Sequence, residues 1–590
     1  MFHTRRFLVS SAVGAVALAM SASTGRAQIP TVDVEVGRFG LETMAIISPS
    51  LIYRPLDMNA VRPDARALGM GGAYLAMADD PLGIGWNPAA VTGPDAFTLS
   101  VDAMGMNSSS STSGYPTSII PPGQSELFVT SYNNSLKSSF RYGTIAFALP
   151  VWESGARRIG AGFAWRRFGQ VGRPEETILT LLEDRQNAAE VSIATDQKEK
   201  GAIEAYGPTL GLRLFSGLDV GVSGNFLTGR NRVNQTLEQD TGGQGLSDLG
   251  FERFTQKYSG FAMDLGVRLS VGDRARLAMR YTPEYDLEVT GGTWQNKTVD
   301  VANFVYINQT GTLSGYDQTV PAFMSVGVAL KPTSRIWLTA DYTSQKLSET
   351  TLTYTGLPAF DPFGAELVAA SVGSESFDVV YGGSSPAVDP ALPAADLTQV
   401  SFGAEYVLFR NERSELPIRI GFRSTDLPYL KAASEDYSYR YLHEEVMDFL
   451  GISYEELLQM WDPAWNGTGN RKRPRYTTIG LRYNGAHGEQ PTGTGFSLGA
   501  SFRTGVVSYD LGIDWFSYTD TRFAFGTAWN AIFNPNPIEG DFISSVTIHE
   551  DDTSHEEELP APVRHPSVLE VDRSVTTFRL SATYSFPGLF

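Results

Sequence analysis

The sequence predicts an all-β protein: a transmembrane antiparallel β-barrel of about fourteen strands with a further segment inside its lumen. Three observations predict it. The last residues, Phe578 to Phe590, place Phe578, Leu580, Ala582, Tyr584, Phe586 and Phe590 on one parity. Arg579, Ser581, Thr583 and Ser585 take the other, and period two means a strand with one oily and one polar face. Met1 to Ala27 reads as a secretory leader, yet no second apolar stretch of helix-spanning length follows. Between these ends, strand-like segments are separated alternately by short turns and long polar stretches. A membrane protein without spanning helices must be a closed barrel, because only those two forms satisfy every backbone group in lipid.

In the leader, Arg5 and Arg6 form the basic part, Phe7 to Met20 the apolar part, and Gly25-Arg26-Ala27 the cut site before Gln28. Arg5-Arg6-Phe7-Leu8 hints at a twin-arginine signal, but that route carries folded proteins, so the general secretory route fits a barrel better. A closing strand that ends on an aromatic residue, here Phe590, looks like the address read by the barrel-assembly machinery of Gram-negative outer membranes. The predicted division is 1–27 leader, 28–94 N-terminal extension and luminal segment, and 95–590 barrel.

Composition sets outer limits. The mean hydropathy is −0.14, soluble-looking, as expected when half of each strand faces a polar lumen. No cysteine is present, which excludes disulfides and thiolate metal sites. The formal charge of −19 falls to about −22 without the leader's three arginines, which argues against nucleic acid. Much of the acid lies in predicted loops such as Glu550-Asp551-Asp552 and Glu556-Glu557-Glu558, a solvated face or a cation bridge to lipopolysaccharide.

Strands are expected to start near Phe97, Tyr142, Ile159, Thr209, Leu218, Ser259, Ala275, Ala322, Ile336, Thr398, Ile418, Tyr476, Gly495, Val507 and Thr577. A barrel with both ends on one side needs an even number, so one of these is surplus. Gly495 to Tyr518 is the suspect, as either a hairpin or one bent strand; fourteen strands are favoured, with sixteen open. Long loops are expected at about 107–138, 169–204, 231–256, 290–319, 348–396, 426–473 and 520–573, on the outer side. Within one of them, His443 to Trp461 has helical spacing.

The polar parity carries charges of both signs: Asp264, Arg268, Arg276, Arg280, Asp341, Glu405, Arg419, Arg423, Arg482, Arg503, Asp510, Asp514 and Arg579. These suggest ion pairs across the lumen wall. It also carries Gly162, Gly211, Gly221, Gly266, Gly327, Gly403, Gly421, Gly480, Gly499 and Gly512. Inward glycine makes room for something bulky. The candidate occupant precedes the first strand: Ala65 to Val91, rich in small residues, with Gly69, Gly71, Gly72, Asp79, Asp80, Trp86, Asn87, Pro88 and Ala89 as its marked positions. Its glycines are no phosphate loop, because no Lys-Ser/Thr follows, and no βαβ unit surrounds them. Asp79 and Asp80 are expected to hold the segment to arginines of the wall.

The string ARALGMGGAYLAMADDPLGIGWNPAAV resembles the N-terminal hatch of the FadL/TodX family of outer-membrane hydrophobic-compound transporters. It is equally similar to the related PorV-type barrels of type-nine secretion. The resemblance implies a fourteen-strand barrel and places Asn87-Pro88-Ala89 in the hatch near a lateral exit. It implies passive uptake of fatty-acid-like or aromatic molecules, without covalent chemistry or cofactor. The alternative it implies is a barrel that binds and shuttles secreted proteins. Gln28 to Pro63 and the long loops depart from the family pattern, so ligand-binding residues are not carried over. No His-Glu-x-x-His or calcium loop is present, and the string Gly495-Phe496-Ser497-Leu498-Gly499 matches Gly-x-Ser-x-Gly only inside an alternating strand segment, not at a strand-to-helix elbow, which argues against an enzyme. His549 and His555 sit in an acidic tract that reads as solvated rather than metal-binding. The expected location is the outer membrane of a Gram-negative bacterium, among lipid and lipopolysaccharide.

Overall fold

A computed structural model describes residues 64–113, 139–170, 189–240, 246–290, 316–355, 395–431, 489–523 and 568–587. It also describes the short stretches 31–35, 118–119, 127–136, 176–184, 293–300, 305–312, 376–380, 433–442, 476–485, 540–549 and 556–560. The leader, Phe590, the expected helix at His443 to Trp461, the Glu550-Asp551-Asp552 tract and His555 lie outside the described residues.

Fourteen strands form the wall: β1 Phe97–Ser113, β2 Ser139–Ser154, β3 Arg157–Gln170, β4 Ala189–Phe215, β5 Leu218–Asp240, β6 Leu246–Val271 and β7 Ala275–Thr282. They continue with β8 Phe323–Thr333, β9 Ile336–Gln345, β10 Leu397–Arg410, β11 Ser414–Asp426, β12 Thr492–Thr504, β13 Val507–Phe523 and β14 Val568–Phe586. Each pairs antiparallel with its neighbours in order, and β14 closes on β1 from Phe97↔Phe586 to Ser113↔Glu570. The ring therefore has no free edge. No helix among the described residues is long and apolar enough to cross a membrane.

Side-chain parity sets inside from outside. On β6, Phe261, Met263, Leu265 and Val267 are 38–49% exposed, while Asp264 and Arg268 on the other parity are 0% and 4% exposed. The oily parity thus faces out and the charged parity faces in. The two sets of chain connections also differ. The turns at 154–157, 271–275 and 504–507 are tight, with Gly155, Gly272 and Gly505 at φ of 61°, 62° and 56°. These are left-handed conformations that glycine adopts without strain.

Two expectations change. The surplus strand is Tyr476–Gly485, not the Gly495 region, which is a true hairpin turning at Gly505. Tyr476–Gly485 pairs with Ala433–Leu442 and Gly540–His549, which in turn pairs with Glu556–Pro560, in a separate four-stranded sheet. Arg482 and Gly480 therefore belong to that sheet and not to the lumen wall. Period two reports any half-buried sheet, whichever sheet it is. The second change concerns stretches expected as loops. Residues 231–256 are largely strand, since β5 and β6 pair from Leu218↔Leu269 up to Asp240↔Leu246. Likewise β4 begins at Ala189, within the expected 169–204 loop. These strands run 23 to 27 residues, whereas about ten cross a bilayer. The alternating apolar signal ends with the exposed oily band, while the hydrogen-bond ladder continues beyond it.

Candidate functional site: the lumen

The segment before β1 has little regular structure of its own, and its short turns follow from its sequence. Asp64 caps the helix α1, Ala65–Gly69, by accepting from the Arg66 backbone N–H at 2.8 Å. Gly71 and Gly72 then reverse the chain at φ of 66° and 84°. Asn87 caps the 3-10 turn Pro88–Thr92, accepting from Ala89 N–H at 3.0 Å, with Pro88 at the first position where its missing N–H costs nothing. The Asn-Pro-Ala triplet is thus a capped turn.

The segment winds round the inner wall, passing the strands in reverse order. A Cβ added at Gly512 of β13 would meet Ala65 and Leu68, and one at Gly499 of β12 would meet Gly69. At Gly421 of β11 it would overlap Met70 and Gly71, and at Gly403 of β10 it would meet Met70. Gly327 of β8 faces Leu75, Gly266 of β6 faces Asn87 and Pro88, and Gly221 of β5 faces Pro88 and Ala89. Gly211 of β4 faces Val91 and Thr92, and Gly162 of β3 faces Ile84 and Val91. Nine of the ten inward glycines expected from sequence form this track, the tenth being Gly480. Inside the loop of chain, Met70, Tyr74, Met77, Trp86 and Ala90 pack with Ala278 and Ala329 of the wall. Tyr74 meets Trp86 edge-on at 6.0 Å between ring centres.

Charged groups of the wall bind the segment mainly through its backbone. Asp341 accepts from the N–H groups of Tyr74 and Leu75 at 2.7 and 2.8 Å. Arg268 donates to Ala78 O, and Arg280 to Gly85 O at 2.9 Å. Arg158 and Arg213 both reach Thr92 O, at 3.3 and 3.2 Å. These arginines are held in turn by carboxylates, Arg268 by Asp219 at 2.7 Å and Arg280 by Asp264 at 2.9 Å. Such charge-assisted bonds are stronger than neutral ones. Sequence parity marked Asp264, Arg268, Arg280 and Asp341 but missed Arg158, Arg213 and Asp219, and nothing in the sequence says that the targets are main-chain groups.

Asp79 and Asp80 divide. Asp79 pairs with Arg66 of the segment at 2.8 Å and with the wall's Arg276 at 3.5 Å. Burial works to raise its pKa, but Arg66 and then Arg276 outweigh that and hold the carboxyl well below the usual range. Asp80 instead accepts from the Tyr74 hydroxyl at 3.1 Å and Gly83 N–H at 2.7 Å, both within the segment. Burial and then the Asp79 charge push its carboxyl upward.

Asn87-Pro88-Ala89 lies against β5 and β6, where Asn87 donates to Val267 O at 3.1 Å. The β5–β6 ladder runs there without a register break, from Phe226↔Phe261 to Leu218↔Leu269. Breaks near the segment lie at other seams, between Val101 and Ala103 on β1 and between Pro150 and Trp152 on β2.

Further from the tight turns the inner wall changes character. An ionic layer comes first, with Asp264 accepting from Arg166, Arg280, Thr282 and Asn225 at 3.1, 2.9, 2.6 and 3.0 Å. Beyond it, Phe168 of β3, Ile203 of β4, Leu227 of β5, Tyr258 of β6, and Leu287 and Val289 of the strand Tyr285–Thr290 are all buried on the inward side. The pairings Gly229↔Tyr258 and Tyr258↔Val289 make this one continuous stripe. Sequence reading missed it, because single apolar residues among polar ones show only once the register is known.

No family model and no curated protein matches the chain. Among solved structures, a Pseudomonas aeruginosa FadL homologue aligns with TM-score 0.45 and 12% identity over 89% of this chain and 98% of that one. The Ralstonia pickettii toluene transporter TbuX gives 0.42 and 13% over 89% and 99%. The P. putida toluene transporter TodX gives 0.41 and 11% over 89% and 98%. The chain, a closed fourteen-strand barrel by its own strand pairing, is similar over nearly its full length to this FadL homologue and these two toluene transporters.

Proposed function

We propose that this barrel sits in a bacterial outer membrane and lets hydrophobic small molecules, fatty-acid-like or aromatic, diffuse inward past its hatch. The observation that carries this reading is the apolar inner stripe from Phe168 to Val289 above the ionic layer. A water-filled pore has a polar lining, whereas an apolar lining gives a hydrophobic solute a place to leave water. The outward oily parity supports the membrane location, and the close packing of residues 65–92 on the inward glycines supports a hatch role for that segment. The route past the hatch ends in a lateral exit through the wall, at a seam other than the unbroken β5–β6 ladder. No covalent step is involved.

The test is to purify the protein in mild detergent, extract it with organic solvent and identify bound small molecules by mass spectrometry. An apolar molecule should co-purify, and Leu227→Asp/Leu287→Asp should lower its affinity by roughly a hundredfold or more, since each buried apolar side chain contributes on the order of 1.5–3 kcal/mol. A barrel that stays folded and carries the same load in both forms would overturn the reading.

A second reading, a barrel that binds secreted proteins, is favoured by one observation. The sheet of Ala433–Leu442, Tyr476–Gly485, Gly540–His549 and Glu556–Pro560 is built from two long loops. Co-purification of a secreted protein, lost when those loops are shortened, would favour it.

A further inference from the structure

The outer surface of β12, β13, β14 and β1 changes chemistry in one step. Their cross-strand register defines outward rows. Ala500, Leu511, Leu580 and Ala103 form one, and Leu498, Ile513, Phe578 and Gly105 the next. Phe496, Trp515, Thr576 and Asn107 follow, with Phe496 and Trp515 stacked at 6.3 Å between ring centres. The row after that is Thr494, Ser517, Ser574 and Ser109, all four of them hydroxyls. Beyond it, Thr519 donates to Asp572 at 2.7 Å. These side chains line an open concavity of about 630 Å³.

We infer that this concavity binds the neutral sugar portion of an outer-leaflet glycolipid; the inference rests on the outer-membrane reading above. Depth is the first argument. Aromatic residues mark the interface where hydrocarbon gives way to headgroups. The hydroxyl row lies one step beyond Phe496 and Trp515, on the side away from the tight turns, and so faces headgroups. Chemistry is the second. Ser and Thr hydroxyls both donate and accept, as sugar hydroxyls do, so the two surfaces pair without leaving either unsatisfied. A carboxylate, Asp572, adds a strong acceptor on the outward face. Arg573 also borders the concavity but is buried and faces Asp520 at 3.9 Å, so Asp572 is the exposed charge; it would repel a phosphate or a sulfate, which leaves the uncharged sugars as the matching part of the headgroup.

The test uses the full protein in mild detergent and native mass spectrometry. Three probes are titrated: lipopolysaccharide with its core sugars, lipid A without them, and the free core oligosaccharide. The wild type should bind the intact glycolipid more tightly than either part. Thr494→Ala/Ser517→Ala/Ser574→Ala should weaken intact glycolipid by roughly tenfold or more, three hydrogen bonds being lost, and leave lipid A unchanged. Ser517→Trp, which fills the concavity, should do the same, whereas Thr228→Ala on the exposed outer face of β5 should not. Equal affinity for lipid A and intact glycolipid, or no effect of either site variant, overturns the inference. Free oligosaccharide binding as tightly as the glycolipid overturns the membrane source of the sugar. A wild-type protein that does not insert into phosphatidylethanolamine vesicles overturns the outer-membrane reading itself, whereas loss of the bound apolar cargo alone leaves the sugar site standing.

Discussion

Asp79 faces Arg66 and the wall's Arg276, whereas its neighbour Asp80 turns back to Tyr74 and Gly83. The two carboxylates should therefore respond oppositely to neutralisation. Asp79 is depressed, so its contribution is present above the ordinary carboxylate pKa and is lost as pH falls toward its folded value. Its side chain is 37% exposed, so solvent screens the pairs and the loss in Asp79→Asn is at most about 1 kcal/mol. Asp80 is raised, so its contribution is full below the ordinary carboxylate pKa and is lost as pH rises through the raised value. Asp80→Asn should thus be neutral or stabilising at pH 7 and should remove part of the pH dependence just above the ordinary range. Hydrogen exchange of the amides from Ala73 to Val91 reads both effects. Faster exchange in Asp79→Asn with unchanged or slower exchange in Asp80→Asn is expected. Equal acceleration in both would mean that Asp80 also ties the hatch to the wall.

At the scale of elements, the glycine track decides whether the hatch fits. A methyl at Gly421 would overlap the backbone of Met70 and Gly71, and neither neighbour is the mobile end of a side chain. Gly421→Ala should displace the hatch and expose its chain to proteolysis around Gly69 to Gly72, while heat-modifiable migration of the barrel persists. An added Cβ at Gly155 meets nothing, so Gly155→Ala, despite its positive φ, should leave the hatch protected. Protection in both variants would sink the fit argument. This track was legible in the sequence because glycine recurs on the inward parity, strand after strand. The surplus strand was legible too, had the alternation rule been applied strictly. With Tyr476–Gly485 counted in the wall, short connections would flank both ends of β12, against the alternation of long and short. The Asp341 clamp and the apolar stripe were not legible. Both depend on which residues of distant strands share a level, and only the register sets that. Gly495, taken as the start of β12, actually lies three residues into it, because Thr492 and Gly493 lack the apolar partner that marks a lipid-facing start.

For the whole molecule, the membrane reading makes depth the controlling variable on the outer face. Leu498 is outward, 40% exposed, and paired in the row of Ile513 and Phe578. Thr494 is outward on the same strand but one row beyond Phe496 and Trp515. In a bilayer an arginine at the first position faces hydrocarbon, while at the second it reaches headgroups. Leu498→Arg should therefore destabilise folding by about 2–4 kcal/mol and Thr494→Arg by roughly 0–1 kcal/mol. In water the two would differ little, because both sites are exposed and arginine is soluble at either. The inward face supplies the counter-case. Arg579 is buried against Asp102 at 2.8 Å, and replacing it leaves that carboxylate without its cation. Arg579→Leu should thus be destabilising in vesicles and in detergent alike, because its cost lies in the lumen and not in the lipid. Urea unfolding of the three variants in phosphatidylcholine vesicles and in detergent micelles separates these terms. A depth-dependent penalty in Leu498→Arg alone is the expected signature of a wall that faces lipid. Equal midpoints for Leu498→Arg and Thr494→Arg in vesicles would return the barrel to water and remove the ground for its uptake role.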